Sequence, residues 1–189
     1  MSRGLIVSAA LLVGCAAPSG PAPSQAPAAR PAAAAAIAVP TLQNPGFEEP
    51  AAGECVPRWQ CSAHVSVASF RFAVASDAPA TGGGILCIER TGGEPWALVT
   101  QGFHTTALRG QRIRLSMAVR AQGLEGGAGP WVQSQGGRAH AAKLVKATSG
   151  WERVAVDLAV PAESNLIVVG ATLEGPGRAC FDDVRLELL

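Results

Sequence analysis

Residues 112 to 120 alternate strictly between large apolar side chains and polar or small ones, and no other stretch constrains the fold of the chain so strongly. The apolar positions are Ile113, Leu115, Met117 and Val119. Side chains of a β-strand point alternately to opposite faces, so a repeat of two residues over this length is typical of a strand with one buried face. The chain therefore contains at least one sheet that covers a core on one side.

The same alternation returns nearer the C-terminus, at 154–160 and at 184–188. Shorter candidate strands are 62–74, 84–90, 96–103, 129–135, 140–147 and 164–174. Glycine clusters separate them, which is typical of turns, and no segment has a helical period of useful length. Many short strands joined by glycine-rich turns predict an all-β fold, and a jelly-roll β-sandwich is the expected architecture at this size.

The last strand changes its parity across Asp182 and Asp183. Phe181 is apolar, but the apolar residues that follow, Val184 and Leu186, occupy the opposite phase. One extra residue in a strand produces such a change, so the pattern predicts a β-bulge or a strand start at the two aspartates. Bulges re-aim side chains, and here the re-aimed groups are carboxylates.

The N-terminus has the pattern of an export signal. Arg3 precedes an uncharged apolar run at 5–13, which is too short to cross a bilayer because a spanning helix needs about 20 residues. The run ends in LVGC, which resembles the lipobox of bacterial lipoprotein signal peptides. The resemblance implies a signal peptide over 1–14 and lipidation of the Cys15 thiol, for instance with palmitate. The alternative is an ordinary signal peptide with an incidental cysteine.

Beyond Cys15 the sequence is almost entirely Ala, Pro, Ser and Gly as far as residue 40. Such a composition cannot bury enough apolar surface to fold, so 15–40 is predicted to be a disordered tether that carries one domain over 41–189. The lipoprotein resemblance implies that Ala16, at a position where aspartate signals inner-membrane retention, favours the outer membrane of a bacterial cell envelope. The net charge of +1 and the lack of a basic patch argue against nucleic acid as a partner.

Four cysteines remain in the folded part: Cys55, Cys61, Cys87 and Cys180. An even number in an exported protein indicates two disulfides, although the sequence permits three pairings. We favour Cys55–Cys61 as a local staple and Cys87–Cys180 as a tie between a middle strand and the last one. Zinc is the competing interpretation, and it is disfavoured because no CxxC pair exists and the histidines are scattered.

Two terminal motifs of the domain resemble the galactose-binding-like jelly rolls, in particular the carbohydrate-binding modules of the CenC type. These motifs are LQNPGFE at 42–48 and FDDVRLE at 181–187, and a Trp-Glu-Arg sequence at 151–153 before an alternating strand also fits. The resemblance covers essentially all of 41–189. It implies a jelly roll whose first and last strands lie close together.

Many members of this family hold a structural calcium ion between those two strands, with acidic side chains and backbone carbonyls as ligands. Calcium takes about six to eight oxygen ligands. On this resemblance Glu48 and Asp183 are the best carboxylate candidates, with Asn44 as a carbonyl donor and Asp182 as a further candidate. The alternative is that Asp182 caps the bulge through backbone hydrogen bonds while Glu48 is solvated.

Carbohydrate sites use aromatic rings as platforms, because one face of a sugar ring is apolar, and polar neighbours then fix the hydroxyl groups. Trp131 is the best platform candidate, since it follows a glycine-rich turn and shares its strand face with Gln133; the alternative is a core or edge position. Trp59 is a second candidate contact residue, or else it covers the end of the sandwich. Trp96 is interpreted as strand-edge packing and Trp151 as structural.

Three arginines, Arg112, Arg114 and Arg120, fall on one face of the same predicted strand. Their guanidinium groups match carboxylates bidentately and would suit an anionic ligand such as a uronate or a lipid headgroup. A solvated outer sheet face is the alternative interpretation of such a row.

Enzymatic activity is disfavoured, because the chain has no GxSxG elbow, HExxH motif or phosphate loop. The sequence therefore predicts a membrane-anchored, non-catalytic binding lipoprotein that recognises a carbohydrate or a similar small ligand. The alternative is a structural or interaction lipoprotein of the cell envelope that binds a protein partner. A groove lined by tryptophans would favour the first hypothesis, and a flat continuous apolar patch would favour the second.

Overall fold

The computed structural model describes residues 37–50, 53, 55–104, 106–136 and 138–189. The predicted signal peptide at 1–14, the lipidation site Cys15 and most of the predicted tether lie outside the described residues. None of the described residues belongs to a helix that is long and apolar enough to span a membrane.

Ten strands and one short 3-10 helix, Val67–Ser69, make up the regular structure of the described residues. The strands are β1 (Gln60–Ala63), β2 (Phe70–Ala75), β3 (Ile85–Arg90), β4 (Trp96–His104), β5 (Arg112–Ala121), β6 (Gly127–Gln135), β7 (His140–Ala142), β8 (Glu152–Ala159), β9 (Leu166–Glu174) and β10 (Arg178–Leu188). Most predicted strands are present. The single predicted strand at 62–74 is wrong, because the 3-10 turn divides that stretch into β1 and β2.

The strands form two antiparallel sheets of five strands each. The front sheet has the order β1-β4-β9-β6-β7, and the back sheet has the order β2-β3-β10-β5-β8. β1 and β2 belong to different sheets, so the turn between them carries the chain from one sheet to the other. The predicted all-β jelly-roll sandwich is confirmed.

The core lies between the two sheets and follows from the alternation of apolar residues. Ile113, Leu115, Met117 and Val119 of β5 are fully buried, and β9 of the opposite sheet contributes Ile167, Val169 and Leu173. Burying one such side chain stabilises the fold by about 1.5–3 kcal/mol. The alternate residues of each sheet are left on its outer face, where ligands can reach them.

The predicted bulge is present in β10. The pairing of β10 with β5 shifts register between Asp182 and Arg185, and Asp183 adopts a left-handed backbone conformation with φ of 50°. This irregularity lets Phe181 and Val184 both point into the core although they have opposite parity. The Val184 N–H donates to the carbonyl of Pro45, which ties the start of the domain to its last strand.

Both favoured disulfides are present, Cys55–Cys61 and Cys87–Cys180. The second joins β3 to β10 at directly opposed positions. Its two cysteines are buried on the outer side of the back sheet, where Ile85 and Trp151 pack around them as a small second cluster.

Candidate functional site

The outer face of the front sheet is shaped by alternate residues of β4, β9 and β6, which lie side by side. Trp96, Leu98 and Thr100 of β4 point outward, because Ala97 and Val99 between them point into the core. Register places Glu174 of β9 opposite Trp96, and Thr172 opposite Leu98. On β6, beyond β9, Trp131 lies in line with Thr100 across the sheet, and Gln133 lies two residues further along the strand on the same face. These residues are therefore neighbours on one surface.

A groove of about 350 Å³ crosses this surface, and we call it the front groove. Its lining residues are Trp96, Leu98, Trp131, Gln133, Thr172 and Glu174. The floor is formed by Thr172, which is 1% exposed and donates its hydroxyl to the carbonyl of Ala97 at 3.1 Å. Both indoles lie outside the apolar core and are half-buried, so part of each ring is open to solvent.

Two positions of the sheet between the indoles, Gly129 and Gly170, carry no side chain. A Cβ atom at Gly129 would lie 1.9 Å from the carbonyl oxygen of Lys143, and one at Gly170 would lie 2.0 Å from that of Val99. Neighbouring backbone approaches so closely that only glycine fits at either position. Gly170 separates Thr100 from Trp131 in the sheet, so a position without a side chain adjoins the Trp131 indole.

The structure thus brings together two of the three predicted ligand contacts, Trp131 and Gln133, and adds Trp96. Trp96, for which the sequence predicts packing at a strand edge, also lines the front groove. Sequence pattern could not reveal this, since β4 carries apolar residues on both of its faces and its parity is ambiguous. The indole of Trp96 also meets the ring of His64 edge-on, with centroids 6.1 Å apart.

The third predicted contact residue, Trp59, is not part of this surface. It is 7% exposed and belongs to the core, with its ring 5.3 Å from that of Phe47 and its indole N–H donating to the carbonyl of Asn44 at 3.0 Å. The Cys55–Cys61 disulfide therefore holds Trp59 over the end of the sandwich, which is the alternative weighed for it. Its buried ring cannot serve as a stacking platform.

Where calcium is predicted, the carboxylates that lie together are Glu48 and Asp182, and not Glu48 and Asp183. Glu48 and Asp182 both approach the 80–84 loop and flank Gly46. Glu48 accepts the N–H groups of Gly83 and Gly84 at 2.8 and 3.0 Å, and Asp182 accepts that of Thr81 at 2.8 Å. Backbone N–H groups therefore bind one oxygen of Glu48 and both oxygens of Asp182, the second of which accepts the N–H of Asp183.

The other two predicted ligands do not join this pair. Asp183 forms ion pairs with Arg153 and Arg185, and the side-chain oxygen of Asn44 accepts the N–H of Glu49. Among the described residues, no group of three or more His, Cys, Asp and Glu side chains is placed to hold a metal ion. The set of Glu48, Asp183 and Asn44 is thus not assembled. Calcium at this end of the sandwich stays a prediction, with Glu48 and Asp182 as the carboxylates that lie together there.

The pKa values of the two aspartates of the bulge are shifted in opposite directions. Asp182 is fully buried, and this burial raises the pKa of its carboxyl although the N–H groups of Thr81 and Asp183 act in the opposite direction. Burial also acts to raise the pKa of Asp183, but the hydrogen bonds from Arg185 and Arg153 outweigh it, and the pKa is lowered. The bulge separates one buried carboxyl from one that is paired at the surface.

The predicted arginine row lies on the outer face of the back sheet. Arg114 binds both oxygens of Asp157 at 2.7 and 2.9 Å, and Arg112 approaches the same carboxylate at 3.7 Å. The hydrogen bond from Arg114 lowers the pKa of Asp157. Arg120 lies 4.7 Å over the ring of Trp151 instead. The row therefore does not act as one basic patch.

No protein-family model matches the chain, and no curated protein matches it. Solved structures do. The enzymatically active domain of tailspike protein 4 from bacteriophage CBA120 aligns with a TM-score of 0.59 at 12% identity, over 78% of this chain and 21% of that one. This chain thus spans about a fifth of that protein.

Two carbohydrate-binding modules align over most of their own length. The module TmCBM61, solved in complex with β-1,4-galactotriose, has a TM-score of 0.53 at 17% identity, over 78% of this chain and 97% of that one. The CBM22-1 xylan-binding domain of a Paenibacillus barcinonensis protein has a TM-score of 0.52 at 14% identity, over 76% of this chain and 90% of that one. At these identities the likeness shows the β-sandwich fold.

Proposed function

We propose that this protein is a non-catalytic binding protein whose front groove recognises a carbohydrate. The observation that carries the proposal is the placement of two half-buried indoles, Trp96 and Trp131, in one groove on the outer face of a sheet. Indoles with one open side suit the apolar face of a sugar ring, as they suit other ligands that are apolar on one side and polar at the edge.

Polar groups in the groove suit the rest of such a ligand. Gln133 offers an amide donor and acceptor beside Trp131, and Glu174 offers a carboxylate opposite Trp96. Few polar groups placed among apolar surfaces are the usual composition of a small-ligand site, because they fix the orientation of the ligand. Sugar hydroxyls both donate and accept hydrogen bonds. The Gln133 amide can donate to them and accept from them, and the Glu174 carboxylate can accept from them.

The distance between the indoles favours an oligosaccharide over a single sugar. Trp96 and Trp131 lie on strands that are separated by β9, and their rows are four residues apart. Ordinary sheet dimensions then place their Cα atoms about 10 Å apart across the sheet and about 13 Å apart along it. One sugar ring cannot lie on both indoles, whereas a short chain of rings can.

The aligned modules support the proposal, since one was solved with β-1,4-galactotriose and another is described as xylan-binding. Their ligands are properties of those proteins. The groove residues of this chain, in particular the single carboxylate among two indoles, determine which glycan fits here.

The composition of the groove supports binding without catalysis. Glycoside hydrolysis ordinarily uses two carboxyl groups, one as acid and one as base or nucleophile. Glu174 is the one carboxylate among the lining residues of the front groove, and no histidine accompanies it there. We therefore propose that the bound glycan is held and not cleaved.

Membrane attachment is the second part of the proposal. The lipobox-like sequence that ends in Cys15 supports lipidation of that residue, and the Ala/Pro-rich stretch after it supports a tether. The arrangement would hold the front groove at a bacterial envelope membrane, with Ala16 favouring the outer one, while leaving the sandwich free to reach its ligand.

The alternative of a protein-binding envelope lipoprotein would use exposed apolar side chains. The large apolar side chains exposed in the described part of the chain are Ile37, Val65, Val67 and Leu189. Four such side chains are few for a flat protein interface, so the described surface gives this alternative less support. The front groove is the better-supported site.

A glycan array probed with the full chain tests the proposal. We expect binding to a defined set of oligosaccharides, and Trp131→Ala should abolish it without a large change in melting temperature, because this indole lies outside the core. Trp151→Ala is the matched control, since it removes the same group from the opposite face and should leave binding intact. No binding to any glycan, or equal losses in both variants, would contradict the proposal.

A further inference from the structure

Most arginines on the outer face of the back sheet form an ion pair with a carboxylate. Those with such a partner are Arg71, Arg112, Arg114, Arg153 and Arg185, which pair with Glu89, Asp157 or Asp183. Within the described residues, Arg120 and Arg178 of the same face have no carboxylate partner. These two positive charges remain available for a ligand.

The two unpaired arginines share one cavity. Cys180 lies directly opposite Arg120 in the pairing of β10 with β5, so Arg178 and Gln122 face each other one row further out. A cavity of about 370 Å³ is lined by Arg120, Gln122, Arg178 and Cys180, and we call it the back cavity. It lies on the sheet opposite to the front groove and shares no residue with it.

Arg120 is held in place before any ligand arrives. Its guanidinium lies 4.7 Å over the ring of Trp151 and donates to the carbonyls of Ala78 and Asp77 at 3.3 and 3.1 Å. A guanidinium has five N–H donors, so these contacts leave donors for a further acceptor. Because the group is already ordered, binding an anion would cost little additional side-chain entropy.

We propose that the back cavity binds a single oxyanion, a carboxylate or a sulfate carried by a small ligand. Two guanidinium groups and the Gln122 amide supply donors, and planar forks match such oxygens bidentately. Two acids lie beside these arginines. Glu89, opposite Arg178 in β3, is engaged by Arg71, and Asp77 meets Arg120 through its backbone carbonyl.

The surroundings favour one anionic group over an anionic surface. Basic patches that bind anionic membranes gather several unpaired Lys or Arg residues. Here Asp157, Asp183 and Glu89 each hold one or two of the neighbouring arginines, so within the described residues only Arg120 and Arg178 of this face lack a carboxylate partner. The site does not depend on carbohydrate binding by the front groove, and either can fail without the other.

Titration of the full chain with sodium sulfate, and separately with glucuronate, tests the site by heteronuclear NMR. We expect saturable shifts at the amides of Gln122 and Cys180 and at the indole N–H of Trp151. Arg178→Ala should weaken binding at least tenfold. Arg112→Ala is the matched control, because it removes the same charge from the same face while Arg114 keeps Asp157; it should change the affinity less than twofold.

The titrant that binds with the higher affinity, sulfate or glucuronate, identifies whether the site prefers a sulfate or a carboxylate. Shifts that do not saturate, or that spread over all arginine-bearing strands, would show an adventitious ion only and overturn the site. Equal losses in the two variants would do the same. Sedimentation with phosphatidylserine vesicles that depends on Arg178 and resists sulfate would instead assign a membrane surface and also overturn it.

Discussion

Removing the two disulfides separately should destabilise the protein by clearly different amounts. The Cys87–Cys180 bridge has a sequence separation of 93 residues, and the Cys55–Cys61 bridge one of 6. By loop-closure entropy, the long bridge stabilises the fold by about 4.6 kcal/mol and the short one by about 2.2 kcal/mol at 25 °C. The Cys87→Ala/Cys180→Ala double variant also loses buried sulfur contacts in the small cluster beside Trp151, which adds to its loss.

The free energies convert into melting temperatures that are easily separated. For a domain of this size, 1 kcal/mol corresponds to about 2–4 °C, so the long bridge is worth roughly 9–18 °C and the short one roughly 4–9 °C. Calorimetry and urea unfolding of the full chain without reductant would measure both. Double variants avoid leaving an unpaired thiol.

Equal losses, or a larger loss on removing Cys55–Cys61, would refute this reasoning. The first result would mean that loop length does not govern the effect. The second would mean that packing of Trp59 at the end of the sandwich depends on its disulfide more than the β3–β10 pair depends on its own.

The remaining predictions concern the bulge, the calcium site and the anchor. Asp183→Asn should lower the free energy of unfolding by about 1 kcal/mol at pH 7; because the folded pKa of Asp183 is lowered, this difference should close as the pH falls through that pKa, and a constant difference in urea unfolding would contradict it. EDTA should leave the melting temperature unchanged, since backbone N–H groups already bind one oxygen of Glu48 and both oxygens of Asp182; a drop that calcium reverses would show that the ion binds. Cys15→Ser should abolish labelling by a fatty-acid analogue in a bacterial host, and persistent labelling would exclude lipidation at that residue.

Much of the fold could be predicted because local patterns determine it. The alternation in β5 fixed which side chains are buried, and the parity change at Asp182 and Asp183 located the bulge. The division of 62–74 between two sheets was missed, because a strand that switches sheets keeps the same apolar character on both sides of the turn. Periodicity reports burial and not which sheet a strand joins.

The site was less predictable for related reasons. Trp131 and Gln133 could be paired because they share parity on one strand, whereas Trp96 reaches the same groove from a strand two places away. Trp59 is flanked in the sequence by polar residues, as a ligand-contacting tryptophan often is, but its ring packs on Phe47. Motif resemblance named Asp183 as a metal ligand, and the bulge aims that carboxylate at two arginines.

The central claim is that the front groove holds a glycan, and the four tryptophan indole N–H signals test it in one NMR titration. Addition of the oligosaccharide that binds best on the array should shift the signals of Trp96 and Trp131. Those of Trp59 and Trp151, which donate to carbonyls away from the groove, should stay in place. Shifts confined to Trp59 or Trp151, or no shift at any indole at saturating ligand, would contradict the assignment of the groove.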